Sequence, residues 1–378
     1  MVDEKYRTVA PVEEWLEAHR PLWSPNTVRG YATSLAQWWT FLEQRDETTK
    51  WRDAGIPAVT GFLSWLRNGR TVEHTLVKPH EAPAPETLEA RLAALISFYR
   101  WQEAAFAVPV AGRLRHGTSC RTPARGLLAY LDACTAPGPS PLVPVRRQRH
   151  RGRPPLLMPA EIQAILDACA RPDASSGEWD GNLRDRLLFA LLAETGIRLG
   201  EALALRIRDF VIGLGGTPYV EIVPREGDPN GARVKMMRRP RQIHIGTDLE
   251  QLFADYLAHL ACRAAELGME IGTDSPLLVN LDRPPLLAAL RDGTVRDKTV
   301  ALRKKIGPAP WTPHWFRHSH AIALLLADIP EWVVSRRLGH TYVQTTLDLY
   351  GWAREDEALR AAANWKSHIS KWRVVGSE

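Results

Sequence analysis

Apolar residues in the first hundred positions recur at steps of three and four. Val28, Tyr31, Leu35, Trp38, Trp39 and Leu42 form one such stripe, the pattern of an amphipathic helix. Ser24-Pro25-Asn26-Thr27 stands before it. A serine N-cap followed by proline, whose missing N–H is tolerated in the first turn, predicts that the helix starts there. A second helix is predicted from about Ile56 to Asn68. A third runs from Pro85 to about Ala105, with Leu88, Leu92, Leu95, Ile96 and Tyr99 on one face. Seven of the 14 tryptophans fall in this region, which predicts the aromatic core of a small helical domain rather than a base-stacking surface.

From Pro109 to Pro155 the periodicity weakens. Pro137-Gly138-Pro139-Ser140-Pro141 breaks any helix, and the run Val145 to Pro154 carries Arg146, Arg147 and Arg149 among its bases with no acid. Such a run reads as a linker, and one able to touch backbone phosphates. Helices resume from Leu157: Pro159 to Cys169, Asn182 to Glu194, and Leu199 to about Arg208. Val220-Glu221-Ile222-Val223 and Gln242-Ile243-His244-Ile245 are β-like runs about the turn Gly227-Asp228-Pro229-Asn230-Gly231, predicting a small hairpin or three-stranded sheet. The expected class is therefore mainly α with a small antiparallel β-sheet (α+β). The expected division is residues 1–107, a linker at 108–155, a second domain at 156–350, and a tail at 351–378.

Composition narrows the function only a little. A chain of 378 residues suits two domains. The net charge of +6 fits a polyanion without requiring one. Four cysteines without metal-ligand spacing point to a reduced, intracellular protein. No apolar leader follows Met1, and the runs Leu187 to Ala193 and Ala321 to Ala327 are too short to cross a bilayer. A cytoplasmic protein with no membrane partner is expected.

Chemistry enters through four short stretches. Arg198 lies in Thr195-Gly196-Ile197-Arg198-Leu199-Gly200-Glu201, His314 and Arg317 in His314-Trp315-Phe316-Arg317-His318, His340 in Leu338-Gly339-His340, and Tyr350 follows ten residues later. Cutting a phosphodiester with a side-chain nucleophile needs an attacking group, a proton donor for the leaving oxygen and cations on the non-bridging oxygens. Guanidinium suits the last task, because its planar fork grips two oxygens and keeps its charge. Glu201, three residues after Arg198, can orient the arginine or a neighbouring histidine, although such a pair alone is an ordinary surface ion pair. Thr312-Pro313 predicts a helix start that places His314 and Arg317 in its first turn, a natural anion site. His318 and His320 invite a metal reading, but the spacing matches no zinc pattern, so no metal is expected. Tyr350 alone would be a core residue, and Tyr342 is too near His340 to be a separately placed nucleophile. Lys235, among Arg233, Arg238, Arg239 and Arg241, sits where a hairpin tip could protonate a departing oxygen. The arginines around it read as phosphate contacts.

Taken together, TGIRLGEALAL around Arg198, HWFRH, LGH and TTLDLYGW around Tyr350 resemble the boxes of the tyrosine recombinase (phage integrase) family in order and spacing. The Ser24–Thr27 helix and the Leu88–Trp101 helix are similar to that family's core-binding domain, so the resemblance spans about Pro11 to Tyr350. It implies a two-domain clamp on double-stranded DNA. Tyr350 would form a 3′-phosphotyrosyl link, with Arg198, Arg317 and His314 on the scissile phosphate. Lys235 would be the general acid, His340 would assist, and Glu201 would support. Neither metal nor other cofactor is implied. The family works as a homotetramer through a Holliday junction, with the tail docking on a neighbouring subunit. Accessory DNA-bending or co-transposition proteins and a bacterial, nucleoid-associated setting go with it. Asn230 to Lys235 is similar to the transposon-encoded branch and points to a transposase. Three rivals stand beside this reading. A type IB topoisomerase shares the chemistry, a non-cleaving regulator would lack a catalytic group, and a metal-dependent nuclease built on His314 to His320 would fail with a chelator.

Overall fold

The computed structural model describes residues 8–44, 50–68, 83–108, 110, 153–173, 175, 177–213, 215–225, 228–231, 240–307, 310–354 and 356. The chain forms two compact units that divide between His150 and Arg151. Most of the expected linker, including Arg146, Arg147 and Arg149, lies outside the described residues, as do all but a few residues of the expected tail.

Among the described residues, the first unit packs the helices α1 (Ala10–His19), α2 (Pro25–Gln44), α3 (Ile56–Asn68) and α4 (Pro85–Phe106). Ser24 caps α2 as its sequence predicts, its Oγ accepting the Thr27 N–H at 3.0 Å. Helix α1 was not singled out by periodicity, yet it carries Trp15, which is fully buried. That indole meets Trp23 edge-on at 4.9 Å and stacks on Tyr31 at 5.5 Å. Trp38 is equally buried and donates to the Tyr99 hydroxyl at 3.1 Å, which itself donates to the Trp51 carbonyl at 2.8 Å. The other tryptophans of this region are half-buried against the same core. An indole N–H left dry costs ~1–3 kcal/mol, a cost that the Trp38–Tyr99–Trp51 chain removes for the Trp38 ring.

The second unit is built on α6 (Leu183–Thr195), which is buried on nearly every face; its apolar run Leu187 to Ala193 fills the core, and its buried Arg184 and Arg186 are paired with Asp185 and Asp167. It packs against α5 (Pro159–Cys169), α8 (Thr247–Glu266) and α10 (Pro313–Leu326). A three-stranded antiparallel sheet, β3 (Phe210–Val211), β4 (Tyr219–Ile222) and β5 (Arg241–His244), lies beside it in that order. Tyr219 pairs with His244 and Ile222 with Arg241. Val220, Ile222 and Ile243 point into the core, and Phe210 stacks face to face on Phe253 of α8 at 4.2 Å. Two short elements depart from expectation. Ala170–Pro172 (β1) and Trp179–Gly181 (β2) form a hairpin that their mixed composition did not announce. Helix α7 (Leu199–Leu203) is shorter than predicted. The chain leaves it at Leu205, whose carbonyl accepts from Leu277 N at 2.9 Å, while Asp209 caps Arg206 N at 2.8 Å to start the 3₁₀ turn Ile207–Asp209.

The C-terminal part holds α9 (Asp292–Ile306), α10, α11 (Glu331–Leu338) and α12 (Val343–Tyr350), then the 3₁₀ turn Gly351–Arg354. Among the described residues, no helix is long and apolar enough to cross a membrane.

Candidate active site

Helix α6 ends at Gly196, in the left-handed conformation with φ of 65°. A side chain there would place Cβ 2.6 Å from His320 Cδ2, so only glycine turns the chain this tightly. The turn delivers Arg198 to the N-cap of α7. Glu201 Oε2 accepts the Arg198 N–H at 2.9 Å and Oε1 accepts its guanidinium at 3.1 Å. The same carboxylate takes two bonds from Arg241 of β5, at 3.2 and 2.7 Å. Glu201 is 1% exposed. Burial pushes its carboxyl up, but the hydrogen bond and charge of Arg241, then Arg198, hold it below its ordinary value. Glu201 therefore orients arginines, and among the described contacts none reaches a histidine.

Arg317, buried at 2% exposure, joins the loops from the other side. It donates to the Gly196 carbonyl at 2.8 Å and to the Leu338 carbonyl at 2.7 Å. Burial and the neighbouring Arg198 lower its guanidinium to about 10, so it remains a cation at neutral pH. Helix α11 closes at Gly339, again left-handed at φ of 71°, and a Cβ there would lie 2.6 Å from Arg241 Nη1. Arg241 thus sits directly beneath the Leu338-Gly339-His340 turn.

His340 bonds through Nδ1 to Thr346 Oγ1 at 2.8 Å, and its ring lies nearly parallel to that of Tyr350, 6.5 Å away. His314 stands on the exposed rim with its ring edge-on to His318 at 4.5 Å. Tyr350 ends α12 with 1% exposure. The sequence left open which way this phenol faces. It turns inward, because α12 packs on α10 and α11 and its last turn faces them. The hydroxyl lies 2.8 Å from His318 Nδ1. Burial raises the phenol above its ordinary value, against the pull of Arg317 and Arg198. Burial with the nearby cations also lowers three histidines. His318 and His340 fall to about 4, and His314 falls in the same direction. Tyr342, at the N-cap of α12, is 72% exposed.

Arg198, His314, Arg317, His340 and Tyr350 thus come together as a set. Two residues read otherwise in the sequence join them: Arg241, taken there as a phosphate contact, and His318, weighed there only for a metal. His318 follows Arg317 directly and lies four residues from His314, one helical turn on the same face, so its spacing carried the signal. His320 does not join. Its Nδ1 faces the Ala193 carbonyl at 3.0 Å and its Nε2 accepts from Arg337 at 3.0 Å. Among the described residues, no group of His, Cys, Asp and Glu is arranged to hold a metal ion. Lys235, Arg233, Arg238 and Arg239 lie outside the described residues. Of the same connection between β4 and β5, Asn230 is described, and it donates to the Leu203 and Leu290 carbonyls, each at 2.9 Å.

A helical unit followed by this cluster defines a class, the tyrosine recombinases. The chain belongs to the phage integrase family, which its residues 155–356 match, and the family's members include site-specific DNA recombinases. It is 26% identical over 354 residues to transposase A from transposon Tn554 of Staphylococcus aureus, covering 93% of this chain and 89% of the relative. It is 29% identical over 341 residues to the tyrosine recombinase XerC of Methylobacterium sp., covering 89% and 86%. In fold it is similar to the XerH site-specific recombinase bound to palindromic difH substrate, with a TM-score of 0.59 at 17% identity, over 96% of this chain and 86% of that one.

Proposed function

We propose that the chain is a site-specific DNA recombinase, of the kind that integrates or transposes an element, acting through a covalent 3′-phosphotyrosine intermediate. The observation that carries this is the convergence of Arg198, Arg317, His314 and His340 on one buried phenol. Tyr350 Oη attacks the scissile phosphorus. Arg198 and Arg317 hold the non-bridging oxygens with His314, and each such donor contributes on the order of 10²–10³ in rate. Lys235 protonates the departing 5′ oxygen, and His340 assists at the phosphate. Glu201 fixes Arg198, while Arg233, Arg238, Arg239 and the linker arginines bind DNA backbone. The covalent link conserves the bond energy, so rejoining needs neither ATP nor metal.

Double-stranded DNA is the partner, gripped by a helical core-binding domain (1–107) and a catalytic domain (156–350) joined by the basic segment, with the tail making subunit contacts. Four copies exchange strands through a Holliday junction in the nucleoid, with accessory DNA-bending or co-transposition proteins. The likeness to transposase A supports the element-mobilising version.

The test uses a pool of nicked duplexes with a randomised core. Wild type should trap a duplex at a 3′ end as an adduct stable to denaturing electrophoresis, unaffected by EDTA. Tyr350→Phe should trap none. An adduct that persists in that variant refutes the nucleophile, and one abolished by EDTA revives metal chemistry.

A further inference from the structure

We propose that His318 is the catalytic base that takes the proton of the Tyr350 phenol as it attacks. This rests on Tyr350 being the nucleophile, and it fills a role that none of the other site residues fills. Arg198 and Arg317 are donors only. His340 Nδ1 is engaged by Thr346. His314 meets His318 ring to ring rather than the hydroxyl. His318 Nδ1 stands 2.8 Å from the hydroxyl, within the reach required of a general base. With its own proton on Nε2, the neutral ring accepts the phenol O–H at Nδ1. Burial first, then His314 and Arg317, lower the ring's hold on a second proton, so at physiological pH it is neutral and Nδ1 is open to the phenol.

The step balances within the site. As the Oη–P bond forms, the phenol proton passes to His318 Nδ1. As the P–O5′ bond breaks, the leaving oxygen takes a proton from Lys235. On rejoining, the 5′ hydroxyl returns its proton to Lys235, and the imidazolium of His318 returns its own to the departing phenolate. Position in the helix supports the assignment. His318 is one residue past Arg317 and one turn past His314 on α10, so the element that carries a phosphate-binding arginine also carries the base.

His318→Gln separates base from scaffold, because an amide oxygen still accepts the phenol hydrogen bond but cannot hold a proton. The probe is the nicked duplex recovered from the randomised pool by wild-type capture. Single-turnover adduct formation should fall ~10²–10⁴-fold, the usual share of general-base catalysis, with duplex affinity and thermal midpoint unchanged. Putting a more acidic fluorinated tyrosine at position 350 should restore much of that loss in His318→Gln, and none of the loss in Arg198→Lys. A His318→Gln rate within about threefold of wild type overturns the base, as does a fluorotyrosine that rescues both variants equally. Failure of wild type to capture any duplex instead removes the nucleophile itself. Capture with an indifferent His318→Gln removes only the base.

Discussion

Gly196→Ala tests whether the turn before Arg198 is held by shape. The native φ of 65° is one that alanine adopts at a cost of ~1 kcal/mol. The new methyl would stand 2.6 Å from His320 Cδ2 and 3.0 Å from Leu338 Cδ2. Neither neighbour is a free tip: His320 is bonded at both nitrogens, to Ala193 and Arg337, and Leu338 is fully buried. Overpacking of this kind costs ~1–3 kcal/mol, giving about 2–4 kcal/mol in total. For a domain of this size each kcal/mol lowers the melting temperature by ~2–4 °C, so circular dichroism should find the transition lower by about 4–16 °C. Because the Gly196 carbonyl also accepts from Arg317, adduct formation should slow in the same variant. His320→Ala opens the space, and in that background the cost of Gly196→Ala should fall towards the ~1 kcal/mol of backbone strain. An equal cost in both backgrounds, or a loss under about 2 °C, refutes the argument.

Glu201→Gln leaves Arg198 and Arg241 without the carboxylate they share. Breaking one side of a buried pair costs ~3–5 kcal/mol, so urea unfolding should shift strongly, and an unchanged midpoint would dismiss the network. His318 and His340 sit at about 4 in the native chain, below the ordinary 6.5. The unfolded chain therefore takes up protons first, and their contribution to stability is full above about pH 6.5 and lost as pH falls towards 4. His318→Gln should flatten part of that slope, and urea midpoints equal at about pH 7.5 and 5 in wild type would contradict it. Asn230→Ala removes two anchors of the β4–β5 connection, to which Lys235 belongs in sequence. It should slow cleavage of an ordinary diester more than that of a diester whose 5′-bridging oxygen is replaced by sulfur, since a thiolate leaves without protonation. Equal effects on both would separate Asn230 from the leaving-group step.

Local signals were legible where the chemistry is local. Ser24-Pro25 opens a helix with a cap and a fixed φ, and Pro313 opens another through its fixed φ alone, since the Thr312 side chain caps no N–H; Gly339 ends one by equally local geometry. The four motif boxes carried the site, since each puts its functional residue at a helix terminus. What escaped depends on contacts between distant segments. Ala170–Pro172 and Trp179–Gly181 are three-residue strands holding Arg, Pro, Asp and Gly, so no alternation marks them. Helix α7 stops early because Leu205 finds Leu277, more than seventy residues on. The inward turn of Tyr350 comes from α12 docking on α10 and α11, which no property of the tyrosine encodes. The sequence offered no role for His318 once a metal was set aside, and only packing, which sends His320 to Ala193, leaves His318 against the phenol.

The shared carboxylate of Glu201 has a further consequence for encounter with DNA. A free arginine surrenders up to ~2 kcal/mol of rotamer entropy when a phosphate pins it. Arg198 and Arg241 have already given theirs up on folding, because Glu201 anchors both. An arriving phosphate meets forks that need no ordering, which favours the constrained geometry of the reaction over mere attraction. The same carboxylate cancels one positive charge from the pull on the polymer. The site is therefore weaker as a magnet and better as a mould, and its preference falls on the phosphate whose oxygens fit.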